Sequence, residues 1–227
     1  MAIPFIRPMS LFVSLARNDV ELARAAVDGG ADALKVHVNV GHRASGNAFG
    51  SVAEEAPAIT AIQELGVPVG LVVGGEDRVT LDEVRAAREL GVDFFDVYAH
   101  HAPAWYVDEA PADGAMVALG HGEPWERASV LEQLGFAALE ASLAPGEAYG
   151  SPLRADRLAD LACLAARTSL PVVMPSQHRL APEDIPALRR AGADAVLIGV
   201  VVTGDEPDHV RTATASFRDA IDALPAE

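Results

Sequence analysis

Residues 33–40, ALKVHVNV, alternate strictly: Leu34, Val36, Val38 and Val40 are aliphatic, while Lys35, His37 and Asn39 are polar. Side chains of a strand point to opposite faces with period two, so the pattern predicts a strand with three polar groups on one face. Similar short runs begin near Leu11 (LFVSLA), Pro68 (PVGLVV), Asp93 (DFFDVYA), Ala115 (AMVALG), Phe136 (FAALEAS), Pro171 (PVVMPS) and Ala195 (AVLIGV), making eight in all. Amphipathic helical stretches separate them. Asn18 with Glu21, Ser51 with Glu54 and Thr80 with Glu83 have the spacing of N-terminal capping boxes. Pro152 and Pro182 suit a first helical turn. Gly29 and Gly30, Gly66, Gly91, Gly135 and Gly192 stand where helices should stop, in positions open to a left-handed conformation. The fourth helix, over 103–113, is interrupted by proline.

Strand and helix alternating eight times predicts a parallel sheet wrapped by helices. In 227 residues, with no linker or shift in composition, this fits one (β/α)8 TIM barrel domain spanning residues 1–227. An open doubly wound sheet is the runner-up. It lacks its signature, because LARNDVELA rather than a G-x-G-x-x-G turn follows the first strand.

A closed barrel changes what the polar face of ALKVHVNV means. One strand face packs on helices and the other fills the barrel, so neither meets bulk water except at the C-terminal mouth. Lys35 and His37 are therefore expected inside, paired or used. The same assignment turns Phe12 and Ser14, Asp96, Tyr98 and His100, Glu140 and Ser142, and Leu197 and Gly199 inward. Ser176 and Gln177 fall at the mouth, and His101 is expected to face away. One ammonium and two carboxylates should pair across the barrel, and such coupled groups mark active sites. The connections 41–51 and 143–152 are long and rich in Gly and Ser, and both follow strands that carry these charges. They read as lids, with Arg43, Ser45 and Asn47 placed to contact a substrate.

The formal charge of −16, from 33 acidic against 17 basic residues, argues against nucleic-acid and membrane partners. A single cysteine, Cys163, excludes an internal disulfide framework and fits a reducing cytoplasm. The expected location is cytoplasmic, with no signal peptide and no span long enough for a bilayer. Association into a homo-oligomer through outer helices is possible, but the sequence marks no interface.

The segment AGADAVLIG, residues 191–199, resembles the eighth strand of the phosphate-binding TIM barrels. That ribulose-phosphate-binding group includes indole-glycerol-phosphate synthase, thiamine-phosphate synthase and ribulose-phosphate epimerase. The resemblance implies a phosphate held at Gly199, Val200 and Val201, with Ser176 and Gln177 opposite and Arg179 as counter-charge. The chain departs from that pattern where Ser176-Gln177-His178 replaces the glycine pair after strand seven, and where no Ser or Thr follows Gly199. GADALKVHV also resembles the second strand of the epimerases, whose metal ligands fall at the positions of Lys35 and His37. A protonated lysine cannot bind metal, which argues against inheriting that mechanism.

The leading expectation is a lyase or isomerase acting on a small phosphorylated carbonyl or sugar compound, with no cofactor. Lys35 would form a Schiff base or stabilise an enolate, and Glu140 or Asp96 would be the acid/base, with His37 beside them. One alternative is a divalent-metal-dependent epimerase or hydrolase using His37, Asp96 and His100. Another is a non-catalytic ligand-binding barrel.

Overall fold

The computed structural model describes residues 3–6, 8–110 and 114–225. Among these, eight parallel strands close into a barrel in sequence order, with β8 returning to β1. The first half is β1 (Ser10–Ser14), α1 (Val20–Asp28), β2 (Ala33–His37), α2 (Val52–Gln63), β3 (Val69–Val72), α3 (Leu81–Leu90), β4 (Phe94–Tyr98) and α4 (Tyr106–Glu109). The second half is β5 (Ala115–Gly120), α5 (Arg127–Gln133), β6 (Ala138–Ser142), α6 (Ala155–Ala165), β7 (Val172–Pro175), α7 (Ile185–Arg190), β8 (Ala195–Ile198), α8 (Val200–Thr203) and α9 (Pro207–Asp222). This is the (β/α)8 architecture expected from the alternation of strands and helices. No helix among the described residues is long and apolar enough to cross a membrane.

The helix ends follow local chemistry, with several differences from the sequence expectation. Ser51 and Glu54 form the reciprocal capping box at α2. Thr80 caps α3, but Glu83 turns away to Asn39 and the Val52 N–H, so no box forms there. Asp19, not Asn18, caps α1, its carboxylate accepting from the Glu21 and Leu22 N–H groups. Asn18 is instead spent on β2: it accepts from the His37 N–H at 3.1 Å and donates to the His37 carbonyl at 2.7 Å. Pro152 precedes α6 by three residues and bridges to Arg179, whereas Pro182 does open the helical turn before α7. At the end of α1 the left-handed residue is Gly30, at φ 92°, while Gly29 stays right-handed. The fourth helix shortens to a single turn, and residues 111–113 of its expected span lie outside the described residues.

The barrel is filled in layers. Its bottom is apolar: Phe12, Phe94, Met116 and Val173 pack with Ala33, Ala138 and Ala195, and Ile3 and Phe5 close the end below them. Gly70 sits beside Lys35 on one side and Phe94 on the other. A Cβ at Gly70 would overlap the Phe94 ring, so the glycine makes room for the aromatic plug beneath the charged layer. The outer strand faces, including Leu34, Val36, Phe95, Val97 and Leu139, pack on the helices.

Gly70→Ala is expected to destabilise the protein by about 1–3 kcal/mol through overpacking. Denaturant unfolding of Gly70→Ala with and without Phe94→Leu checks this, because the smaller side chain should recover part of the loss.

Candidate active site

The even-numbered strands each send a triplet of alternate residues inward. These are Ala33, Lys35 and His37 on β2, and Phe94, Asp96 and Tyr98 on β4. β6 contributes Ala138, Glu140 and Ser142, and β8 leads through Ala195 and Leu197 to Gly199. Inward residues of alternate strands share a layer in such barrels. The middle members therefore meet: Lys35 Nζ lies 2.8 Å from Asp96 Oδ2 and 2.6 Å from Glu140 Oε2. All three side chains are buried, with exposures of 6%, 3% and 5%. They form the floor of a cavity of about 420 Å³ that opens at the C-terminal mouth, a size that suits a small ligand.

The two carboxylates differ in their surroundings. Glu140 is also held by the Ser142 hydroxyl, which donates to Oε1 at 2.8 Å. Burial pushes its pKa up, but the Lys35 charge and these hydrogen bonds outweigh that and hold it below the usual carboxylate range. Among the described residues, Asp96 Oδ1 has no hydrogen-bond partner. Burial first, then repulsion from Glu140, raise its pKa to about 7 despite the neighbouring ammonium. Burial disfavours the Lys35 charge, yet the attraction of Asp96 and Glu140 prevails and keeps the amine protonated beyond its ordinary range. The floor thus holds a fixed ammonium, a fixed carboxylate and one carboxyl group poised to exchange a proton near neutrality. An ammonium has three donors, and only two are taken by these carboxylates.

His37 stands above the floor, its ring 4.7 Å from His42 and 4.9 Å from Phe49. It is buried, and its Nδ1 has no partner among the described residues. Burial, then the His42 and Lys35 charges, drive its pKa well down; burial and Lys35 lower His42 to about 4. Both rings are neutral at ordinary pH. Ser14, Ser176, Gly199, Val200 and Val201 line the β1 and β8 side of the cavity. The Gly199 N–H is already engaged, donating to the Ser176 hydroxyl at 2.8 Å.

Arg43 reaches from the loop after β2 to stack over the Tyr149 ring at 5.4 Å. Its guanidinium lies where a Cβ on Gly146 would stand, so the two long loops meet over the mouth. Gln177 ties this contact down: it donates to the Tyr149 hydroxyl at 3.0 Å and accepts from the Ala144 N–H.

Four expected positions differ. Asn39 does not face the mouth; β2 ends at His37, and Asn39 takes a left-handed turn, φ 54°, that aims its amide at Glu83. His100 lies beyond the end of β4, at the rim, half-exposed and 3.3 Å from Glu123. Arg179 is exposed and lines a separate groove with Pro152, Val201 and Phe217, and it is not among the residues lining the cavity that Gly199 borders. His101 lines the cavity rather than facing away. Ser45 and Asn47 brace their own loop, through His42 and the Ala16 carbonyl. The sequence reading also missed His42 and Tyr149, which are brought to the mouth by loop geometry. One sequence signal was stronger than any spacing: Lys35 is the only lysine in the chain, the other basic residues all being arginine.

The residues of the metal-dependent alternative, His37, Asp96 and His100, do not form one cluster, and His100 lies 3.3 Å from Glu123 instead. Among the described residues, no group of three His, Cys, Asp or Glu side chains is arranged to hold a metal ion.

No protein-family model and no curated protein matches the sequence. Several solved structures share the fold. Thiamine phosphate pyrophosphorylase from Pyrococcus furiosus superposes with a TM-score of 0.67 at 19% identity, over 94% of this chain and 96% of that one. A mutant tryptophan synthase alpha-subunit from Pyrococcus furiosus gives 0.70 at 16% identity, over 92% and 98%. Phosphoribosyl anthranilate isomerase from Thermus thermophilus gives 0.63 at 17%, over 93% and 99%. The barrel group drawn from the sequence and these neighbours agree at the level of the fold.

The raised pKa of Asp96 has a stability consequence. Its protonated form is favoured in the folded state, so this contribution is complete below about 3.8 and is lost as pH rises through about 7. His37 and His42, with lowered values, contribute the opposite slope, present above 6.5 and lost on acidification. Those two histidines are common to wild type and Asp96→Asn. Denaturant titrations should therefore show wild type losing stability relative to the variant across that window; a constant difference would contradict the assignment.

Proposed function

We propose that the chain is a lyase- or isomerase-type enzyme that moves a proton next to the carbonyl of a small phosphorylated substrate. The observation that carries this reading is the Lys35 ammonium held between Asp96 and Glu140 at the floor of an open cavity. The third N–H of Lys35 would donate to the substrate carbonyl and stabilise the enolate oxygen as charge develops there. Ionised Asp96 would remove the proton from the adjacent carbon and, once protonated, return it to carbon or to a leaving group. Glu140, fixed by Lys35 and Ser142, would keep the amine charged. The pairing supports ammonium chemistry over a Schiff base, because a nucleophilic amine must first lose its proton.

The substrate's phosphate would sit at Gly199, Val200 and Val201 beside Ser176. With the Gly199 N–H taken, the Val200 and Val201 N–H groups at the start of α8 remain for it. Arg43, at the junction of the two loops, would close over the same end. The names of two fold neighbours, a thiamine phosphate pyrophosphorylase and a phosphoribosyl anthranilate isomerase, agree with phosphorylated substrates on this scaffold.

Solvent-deuterium exchange at the carbon next to the carbonyl, followed by NMR on dihydroxyacetone phosphate and ribulose 5-phosphate, tests the reading without a known product. Exchange should rise with pH through about 7 as Asp96 ionises. Asp96→Asn should lower it about 10²–10⁴-fold, and Lys35→Met about 10²–10³-fold. Full exchange in both variants would refute the assignment. Borohydride inactivation in the presence of substrate would move Lys35 to the Schiff-base role.

A further inference from the structure

The rings of this chain are sorted by their edges. Of its seven His and three Tyr, six line the cavity: His37, His42, Tyr98, His100, His101 and Tyr149. None of its seven Phe or two Trp does so; these pack in the barrel, under the loops or on the outer helices. The polar-edged rings also stand in groups. His37 and His42 lie at 4.7 Å on the β2 side. On the β4 side Tyr98 is 5.2 Å from His100 and 5.6 Å from His101, with the two imidazoles 4.2 Å apart. A mouth that only had to be wet would be served equally by Ser, Asn or Lys. Flat rings on two sides offer faces for stacking instead.

A second observation points to a ligand. His37 lines the cavity, and its buried Nδ1 has no hydrogen-bond partner among the described residues. A buried ring nitrogen left unpaired is costly, and such groups are normally satisfied. With the ring uncharged, it can meet a polar atom on a neutral ligand edge. The cavity wall carries charges of both signs, Lys35 and Arg43 against Glu76, Asp96 and Glu140, so its rings rather than its net charge select the ligand.

We infer that the cavity recognises a planar aromatic or heteroaromatic ring, stacked against the imidazole and tyrosine faces with a polar edge atom meeting His37 Nδ1. This rests on reading the mouth as the substrate site and deepens that reading: the full substrate carries a conjugated ring, and dihydroxyacetone phosphate and ribulose 5-phosphate stand in only for its carbonyl and phosphate. Tyr98, rising from β4 directly above Asp96 on the same strand face, would hold the ring over the reacting carbon.

The test uses probes without phosphate or carbonyl, so it is independent of the proposed chemistry. 2-Aminopyrimidine and phenol are compared with cyclohexanol and tetramethylammonium by saturation-transfer NMR, with histidine ring shifts monitored. The two ring probes should bind and perturb His37, while the saturated and cationic probes should not. Tyr98→Leu should weaken the ring probes about fivefold, and Tyr98→Phe should restore them. Asp96→Asn, which removes the proposed base but keeps the side chain's shape, should leave them bound, which separates failure of the catalytic proposal from failure of this one. Cyclohexanol binding as well as phenol, preferential binding of tetramethylammonium, or no histidine response to any ring probe would overturn the inference. If a Tyr98 variant does not fold, the four-probe comparison on wild type decides it alone.

Discussion

Three charges are buried together beneath the mouth of this barrel, and the functional account depends on how they hold one another. An isolated ammonium or carboxylate would be prohibitively costly at this depth, and pairing repays that cost only when geometry is good. The barrel supplies the geometry. Lys35, Asp96 and Glu140 are the middle members of inward triplets on β2, β4 and β6, so a long side chain from one strand spans the interior to two others. The floor below must be solid for this to work, and the Phe94 plug over Gly70 makes it so. Two anions then share one cation. The resulting asymmetry sets Asp96 apart from Glu140, because Ser142 serves only Glu140 while Asp96 keeps one bare oxygen.

Around that floor the structure fixes what must not move and leaves the rim to loops. Asn18 clamps both backbone groups of His37 at the end of β2. Gln177, in place of a glycine after β7, binds the loop after β6 through Ala144 and Tyr149. Arg43 meets Tyr149 from the other loop. These contacts join three separate βα connections, so the mouth is shaped by few side chains and is open to reshaping by few substitutions.

Much of this was legible in the sequence, for a definite reason. Period-two patterning inside a closed barrel leaves only one meaning for the inward face, and ALKVHV, DFFDVY and FAALEAS each carried a polar residue at the central inward position. The pattern failed where regular strand geometry stopped. Asn39 and His100 continue the alternation on paper, but β2 and β4 end at His37 and Tyr98, and beyond those points side-chain direction is set by the turn. Arg179 was misplaced for the same reason, since its backbone follows a bridge to Pro152 rather than the strand. Asn18 looked like a helix cap because capping and strand clamping demand the same residue type. His42 and Tyr149 had no periodic signal and reached the site through loop conformation alone.

Because Lys35 is the only lysine, labelling with ε-15N-lysine gives a single side-chain signal that needs no assignment. Its titration is the most direct measurement of the central claim. The account predicts an ammonium signal that persists beyond the ordinary lysine value of 10.5 and responds near neutrality as Asp96 changes charge. A signal that titrates at or below 10.5, with no response near neutrality, would show that the carboxylates do not hold the amine and would contradict the account.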